Sequence, residues 1–334
     1  MPSSIPSTVS SRNYTCDDYT IGWICVHVKQ QTAAIMMLDE EHSDIEKTSN
    51  DPITYNLGSV GRHNVVIACL PLGWSSSNAA ATVAVRLTTT FPCIKLCLLV
   101  GLGSGIPHRV RLGDIVVGTP DRGFPGVVEW QVDRNNEGRK TAEMGDPPIS
   151  LLSALTKLKT INEINGSKVP IYLNKIKEHK KLSQIYTVSD MLREPLAEND
   201  RVGATDVLKS KLEETELTQS ANMKLGDPAI HYGLIASTTH LIRDKDAYDC
   251  LDKTIDGRDL LCVETEASGL MCNFPGLVIR GICDYAGESQ DAYKGWQGPA
   301  AAAAAAFGKE ILSVLPSAQL ELLPTIKSLG PSVF

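Results

Sequence analysis

The sequence predicts an α/β protein built round a buried central sheet, and three observations predict it. Short apolar runs recur along the chain, among them Tyr19–Val26 (YTIGWICV), Lys95–Val100 (KLCLLV) and Leu260–Val263, and runs of this length suit strands covered on both faces. Segments with helical spacing lie between them, notably Asn78–Thr89 and the alanine-rich Ala300–Leu315. Acids also gather where apolar runs stop: Glu264 and Glu266 follow Leu260–Val263, and Asp284 follows Gly276–Ile282. Ligands sit beyond strand ends in open α/β sheets, so these two strands are read as neighbours that bring their acids to the same end.

Taken in order, residues 1–18 are rich in Ser and Pro and read as a disordered tail. Tyr19–Val26 is the first strand, Gln30–Leu38 a helix and Asp39–Asn50 a polar loop. Thr54–Val60 and Asn64–Cys69 form a hairpin around Gly61-Arg62. Pro71–Ser77 is a turn, and Asn78–Thr89 a buried helix stopped before Pro92. Lys95–Val100 is a strand that leads into a loop, GLGSGIP. That loop is not a dinucleotide fingerprint, because its spacing is GxGxG and a strand, not a helix, follows. Its glycines instead let backbone approach a ligand or a neighbouring strand. Arg111–Val117 and Gly126–Val132 continue the sheet.

From Asp133 to Gly226 the composition turns to Lys, Glu, Asn and Ser. Such a stretch is too long for a plain loop and reads as an insertion, with one amphipathic helix at Ile149–Ile164 and a weak pattern at Asp206–Leu217. Ala229–Ser237 returns to the sheet, Lys245–Leu251 is a helix, and Ala300–Leu315 is the last core helix, whose seven consecutive alanines allow close packing on a sheet. The expected organisation is a tail at 1–18, one domain at 19–320 carrying the partly helical or mobile insertion 133–226, and a C-terminal tail at 321–334.

Composition narrows the function classes. The chain has 334 residues, 43% hydrophobic and 21% charged, enough for a large core, and at 5% aromatic that core is aliphatic. A net charge of −7 gives no footprint for nucleic acid or an anionic membrane. No apolar run approaches the roughly 20 residues of a membrane span, and the N-terminus lacks a signal peptide's apolar region. The nine cysteines show no CxxC spacing and sit mostly in apolar runs, which fits a reducing, cytoplasmic setting. Nothing in the spacing suggests a metal or a nicotinamide, so no cofactor is expected.

YTIGWIC, NVVIACLPLG, SNAAATVAVRL, LLVGLGSGIP, VRLGDIVVG, AIHYGLIAS, LCVETEASGLM and VIRGICDYA, in this order, are similar to the motifs of the nucleoside phosphorylase/nucleosidase superfamily in its fungal form. The resemblance covers nearly everything outside 1–18 and 133–226. It implies a mixed, partly barrel-like central sheet wrapped by helices, and a homo-oligomer (dimer, trimer or hexamer). It also implies site roles. The position of Glu266, in VETEA, is the family's carboxylate for the ribose 2′- and 3′-hydroxyls, and a carboxylate can accept two charge-assisted hydrogen bonds from a cis-diol. Asp284, in ICD, matches the general acid that protonates purine N7 and so improves the leaving group. Glu264 is a hydrogen-bonding neighbour, and the loop residues Leu102, Gly103 and Ser104 line the site.

The chain departs from that pattern where the nucleophile is supplied. Leu99 and Leu102 stand at the positions where phosphorylases hold phosphate with Arg and Ser, which argues against phosphorolysis. Gln30 stands where hydrolytic members have a water-activating glutamate, and an amide cannot take a proton at neutral pH. Thr265 replaces a methionine under the ribose, and Thr238–Asp244 (TTHLIRD), with Thr239, is altered too. His27 and His240 flank the expected pocket and are candidate bases. His231 is read as structural.

The leading expectation is therefore a purine nucleosidase-like hydrolase that cleaves an N-glycosidic bond with Asp284 as acid and Glu266 as ribose anchor. An alternative is a pocket repurposed for an apolar secondary metabolite, which steers a cyclisation or cycloaddition by shape and hydrogen bonding; Leu99 and Leu102 favour it. The third is a non-catalytic nucleoside-sensing module of a larger receptor; the chain runs only about 20 residues past its last expected core helix, which counts against it. Each has a small molecule as partner.

Overall fold

The computed structural model describes residues 13–47, 50–120, 125–132, 138–143, 145–188, 227–238, 242, 248, 251, 260–271 and 274–329. The apolar runs form most of the strands, and two polar segments, Glu40–His42 and Gly138–Glu143, add the others. The strands are β1 (Ile21–Cys25), β2 (Glu40–His42), β3 (Tyr55–Val60), β4 (His63–Cys69), β5 (Leu96–Gly105), β6 (Ile115–Gly118), β7 (Val127–Val132), β8 (Gly138–Glu143), β9 (Ile230–Thr238), β10 (Leu260–Glu264) and β11 (Gly276–Tyr285). The helices are α1 (Val28–Met36), α2 (Ser77–Thr90), α3 (Ile149–Asn165), α4 (Val169–Lys177), α5 (Lys180–Tyr186), α6 (Ala267–Met271), α7 (Gln297–Val314), α8 (Ser317–Glu321) and α9 (Ile326–Leu329).

All eleven strands belong to one mixed sheet. β5 pairs with β11, β11 with β6, β6 with β9, β9 with β10, and β10 returns to β5. Five strands thus pair in a closed ring, which makes the centre a partial barrel. β1, β4, β3 and β2 extend the sheet from β5, and β7 and β8 extend it from β9. Helices cover the outside. The long α7 lies across β11 and β5, and its seven alanines are all buried. There the backbone of Ala300 lies directly over Gly281 of β11, where a Cβ has no room.

Four expectations change against this structure. Asp39–Asn50 is not all loop, because β2 pairs antiparallel with Ser59–Leu57 of β3; its EEH sequence has no apolar alternation, and only the neighbouring backbone makes it a strand. The glycine loop is also strand. β5 runs through it to Gly105, with β11 along one side and β10 meeting Ser104 and Gly105 on the other. A Cβ at Gly105 would come within 2.7 Å of Ile282 Cγ2, and one at Gly101 would run into the Arg280 guanidinium, so these glycines let neighbours close in. β6 begins late, because the Arg111 N–H donates to Asp114 Oδ2 at 3.0 Å and holds a turn there. The last change concerns β10 and β11. They are not neighbours but flank β5 from opposite sides, β11 parallel to it and β10 antiparallel.

Within the expected insertion, β8 and α3–α5 are ordered, and all three helices pack on α7. Glu310 of α7 is buried and accepts from the Lys168 N–H at 2.6 Å and from Ser167 Oγ at 2.8 Å. These two bonds fasten the start of α4 to the core. Within the expected tails, Tyr14 stacks on His42 with ring centroids 3.9 Å apart, and Ile326 is buried in the core. The pattern at Asp206–Leu217, nearly all of Lys245–Leu251, and Thr239 and His240 lie outside the described residues. Among the described residues, no helix is long and apolar enough to cross a membrane.

Candidate active site

Register explains why the acids meet. On one side of β5, Asp284 stands level with Ser104; on the other, Val263 stands level with the same residue. Glu264 is then one step further on, and Thr265 and Glu266 lie in the turn into α6. The strand ends run in opposite directions and converge on Leu102–Ser104. A cavity of about 530 Å³ opens there. It is lined by His27, Gln30, Leu102, Gly103, Ser104, Glu264, Thr265, Glu266 and Asp284 of the expected site. Thr239 and His240 lie outside the described residues. Leu99 is not at the cavity: its side chain is wholly buried in the core, so only Leu102 of the two leucines faces a ligand.

One buried cation organises this floor. Arg280, in the middle of β11, is fully buried, donates to Glu264 and lies 3.3 Å from Glu266 Oε2. Glu264 also accepts backbone N–H groups of Glu266 at 3.0 Å and Ala267 at 2.9 Å. Desolvation raises its pKa, and the Arg280 charge offsets only part of that rise. Glu264 is thus a brace between Arg280 and the start of α6, while Glu266 lies between that brace and the cavity. The Thr265 hydroxyl donates to Glu266 Oε1 at 2.5 Å. Sequence reading missed Arg280, although a signal was there: an arginine inside the apolar run GLVIRGI must be paired if buried.

Asp284 is held differently. It is 3% exposed, Cys283 Sγ donates to its Oδ2 at 3.6 Å, and Oδ1 has no hydrogen-bond partner. Burial raises its pKa from an ordinary 3.8, against the opposing influence of donors on Ser104, Cys283 and Gln290. A carboxyl in this setting keeps its proton more readily and can donate it.

The first-strand segment supplies the opposite wall. Gln30 is buried, and its Oε1 accepts the Val26 N–H at 2.7 Å and the His27 N–H at 3.4 Å, which fixes the turn into α1. His27 stands at the cavity edge, and its pKa is lowered from 6.5 by desolvation first, then by Arg280 and Lys29. A neutral imidazole at pH 7 follows. Lys29 is tied to Gln297 Oε1 at 2.9 Å, at the start of α7. Ser75, Gln290 and Gln297 also line the cavity; these ordinary polar residues, far apart in sequence, carried no signal. Among the described residues, no group of three or more His, Cys, Asp or Glu side chains is arranged to hold a metal ion.

The fold, a mixed sheet closed into a partial barrel and wrapped by helices, matches that of solved nucleosidases. The 5′-methylthioadenosine/S-adenosylhomocysteine nucleosidase of Neisseria meningitidis, solved with methylthio-immucillin-A, matches 88% of this chain and 98% of its own with a TM-score of 0.55 and 15% identity. A nucleosidase of the same name from Colwellia psychrerythraea, solved with adenine, matches 90% and 98% with a TM-score of 0.56 and 17% identity. The futalosine hydrolase of Helicobacter pylori matches 88% and 97% with a TM-score of 0.53 and 12% identity. At such identities the likeness is one of fold. A nucleotide-binding leucine-rich repeat (NLR)-like protein of Hyaloscypha variabilis is 34% identical over 324 residues. That match takes in 94% of this chain, which spans only 31% of the relative's length. No family model matches.

Proposed function

We propose that the chain hydrolyses the N-glycosidic bond of a purine nucleoside. The observation that carries this reading is Asp284, a buried carboxyl with a raised pKa and an unpartnered oxygen, on the wall of a cavity that also holds Glu266. Asp284 donates its proton to purine N7 as the bond from C1′ to N9 breaks, so the base leaves neutral. The ribosyl centre becomes oxocarbenium-like, water adds to C1′ as its new hydroxyl, and the one proton released passes to His27. Base and free ribose are the products. Glu266 accepts the ribose hydroxyls, and Arg280 and Glu264 hold it in place.

Two observations support His27 over Gln30 as the base. Gln30 spends its oxygen on backbone N–H groups, and the His27 imidazole is kept neutral. Phosphate is not the nucleophile in this reading, because Arg280 is fully buried between two carboxylates and Leu102 offers no donor. The likeness to an NLR-like protein favours a second reading, in which the same pocket binds a nucleoside as one module of a longer chain without cleaving it. The test is release of adenine or hypoxanthine from a nucleoside panel, with and without phosphate. Phosphate-independent release that His27→Gln lowers supports hydrolysis. Ribose 1-phosphate as the main product would overturn it, and saturable binding without any release would select the second reading.

A further inference from the structure

Resting on the nucleoside reading, we infer that Thr265 sets the specificity of the site for the sugar by holding Glu266 ready for a cis-diol. A carboxylate has two oxygens and about four lone-pair sites. Glu266 is gripped at both oxygens from inside the protein: Thr265 Oγ1 donates to Oε1 at 2.5 Å, and Arg280 Nη1 lies 3.3 Å from Oε2. The shorter contact is the hydroxyl's. It is a charge-assisted bond, of the stronger kind, whereas the Arg280 contact is long and Arg280 also serves Glu264. Thr265 therefore fixes the rotation of the carboxylate about its stem.

The two grips occupy one site on each oxygen and leave one on each. A vicinal diol presents two donors at a matching separation, so it meets a receptor already turned to face it. A sugar with one hydroxyl gains less from that alignment, because a single donor can be met by either oxygen at many rotations. Preorganisation of this kind lowers the ordering cost of binding, and its benefit falls on the diol. Thr265 is a positioning residue: it acts on the sugar through Glu266. It is half-buried in the turn after β10, at the cavity, and its hydroxyl bonds Glu266 rather than Arg280 or the Glu264 carboxylate, so changing it leaves the Arg280–Glu264 brace intact.

The probes are a non-hydrolysable C-nucleoside of adenine type and its 2′-deoxy counterpart, titrated calorimetrically into the full chain. The wild type is expected to prefer the ribo probe. Thr265→Val, which keeps shape and removes the hydroxyl, should weaken the ribo probe about 3–10-fold and the 2′-deoxy probe less than 2-fold, the size of one hydrogen bond. Thr265→Ser should keep the wild-type preference. An unchanged preference in Thr265→Val, or an equal loss on both probes, overturns the inference and leaves the nucleoside reading standing. If the wild type binds neither probe, the nucleoside reading falls first and this inference with it.

Discussion

Asp114 and Asp284 are both buried aspartates on the central barrel, at 2% and 3% exposure, and they have opposite surroundings. Asp114 precedes β6 and is fully used: it accepts from Arg111, from the Ala229 N–H at 2.9 Å and from His231 Nε2 at 2.9 Å. Its pKa is lowered, because these donors outweigh desolvation. Asp284 has few donors and an orphaned oxygen, and its pKa is raised. Residue type and burial are the same, so neither separates function from structure. Satisfaction does: a buried acid with all partners supplied by the fold holds the fold together, while one left waiting at a cavity is available for chemistry.

The comparison breaks most readily through activity. Asp284→Asn should lower base release by about 10²–10⁴-fold, the usual reach of a general acid, without lowering the thermal midpoint at pH 7. Asp114→Asn should leave the turnover of folded protein within about 2-fold, since Asp114 lies outside the cavity and makes no contact that changes between ground and transition state. If the two variants lost activity equally, the distinction would be void.

Gln30 offers a way to sharpen it. Its one acceptor oxygen is satisfied by backbone, as Asp114's oxygens are by their donors. Gln30→Glu would keep that bond and add a second, unpartnered oxygen facing the cavity, which turns a structural side chain into one like Asp284. Base release should rise by about 10²-fold, the lower end of general-base effects. A fall in rate, measured on the same nucleosides, would mean that water does not approach from this wall.

Stability gives a smaller effect. Asp114→Asn should cost about 1–3 kcal/mol, below the loss for a fully buried pair because Arg111 and His231 are partly exposed. Urea denaturation reads this as a lower midpoint at an unchanged slope.

The subtlest expectation is a pair of opposite slopes with pH. The folded pKa of Asp114 is depressed, so its contribution is present above an ordinary 3.8 and is lost as pH falls through the folded value. That of Asp284 is raised, so its contribution is present below 3.8 and is lost as pH rises through the folded value. Subtracting each Asn variant's stability–pH curve from the wild type's should give differences of opposite slope. Curves that differ with the same slope would contradict the two assignments.

Much of this was legible in the chain. The strands at Tyr19–Val26, Lys95–Val100 and Gly276–Ile282 and the helix at Ala300–Leu315 announced themselves, because apolar periodicity reports which face of an element is buried. Glu264, Glu266 and Asp284 stood out for a related reason: acids at the close of apolar runs are costly unless they have a use. What the sequence could not determine were relations between distant segments. It put β10 and β11 side by side, where the structure sets them on opposite flanks of β5 and in opposite directions. It read GLGSGIP as a loop, because glycine's weakness in strands is a local average, while crowding by Ile282 and Arg280 is a tertiary fact. It left Arg280 unnamed, although its charge braces both glutamates. It did not show that Asp114 is a satisfied buried acid, because that depends on donors such as His231 and Ala229, more than a hundred residues away. Local pattern fixes what a residue would tolerate, and only the folded chain decides which partners reach it.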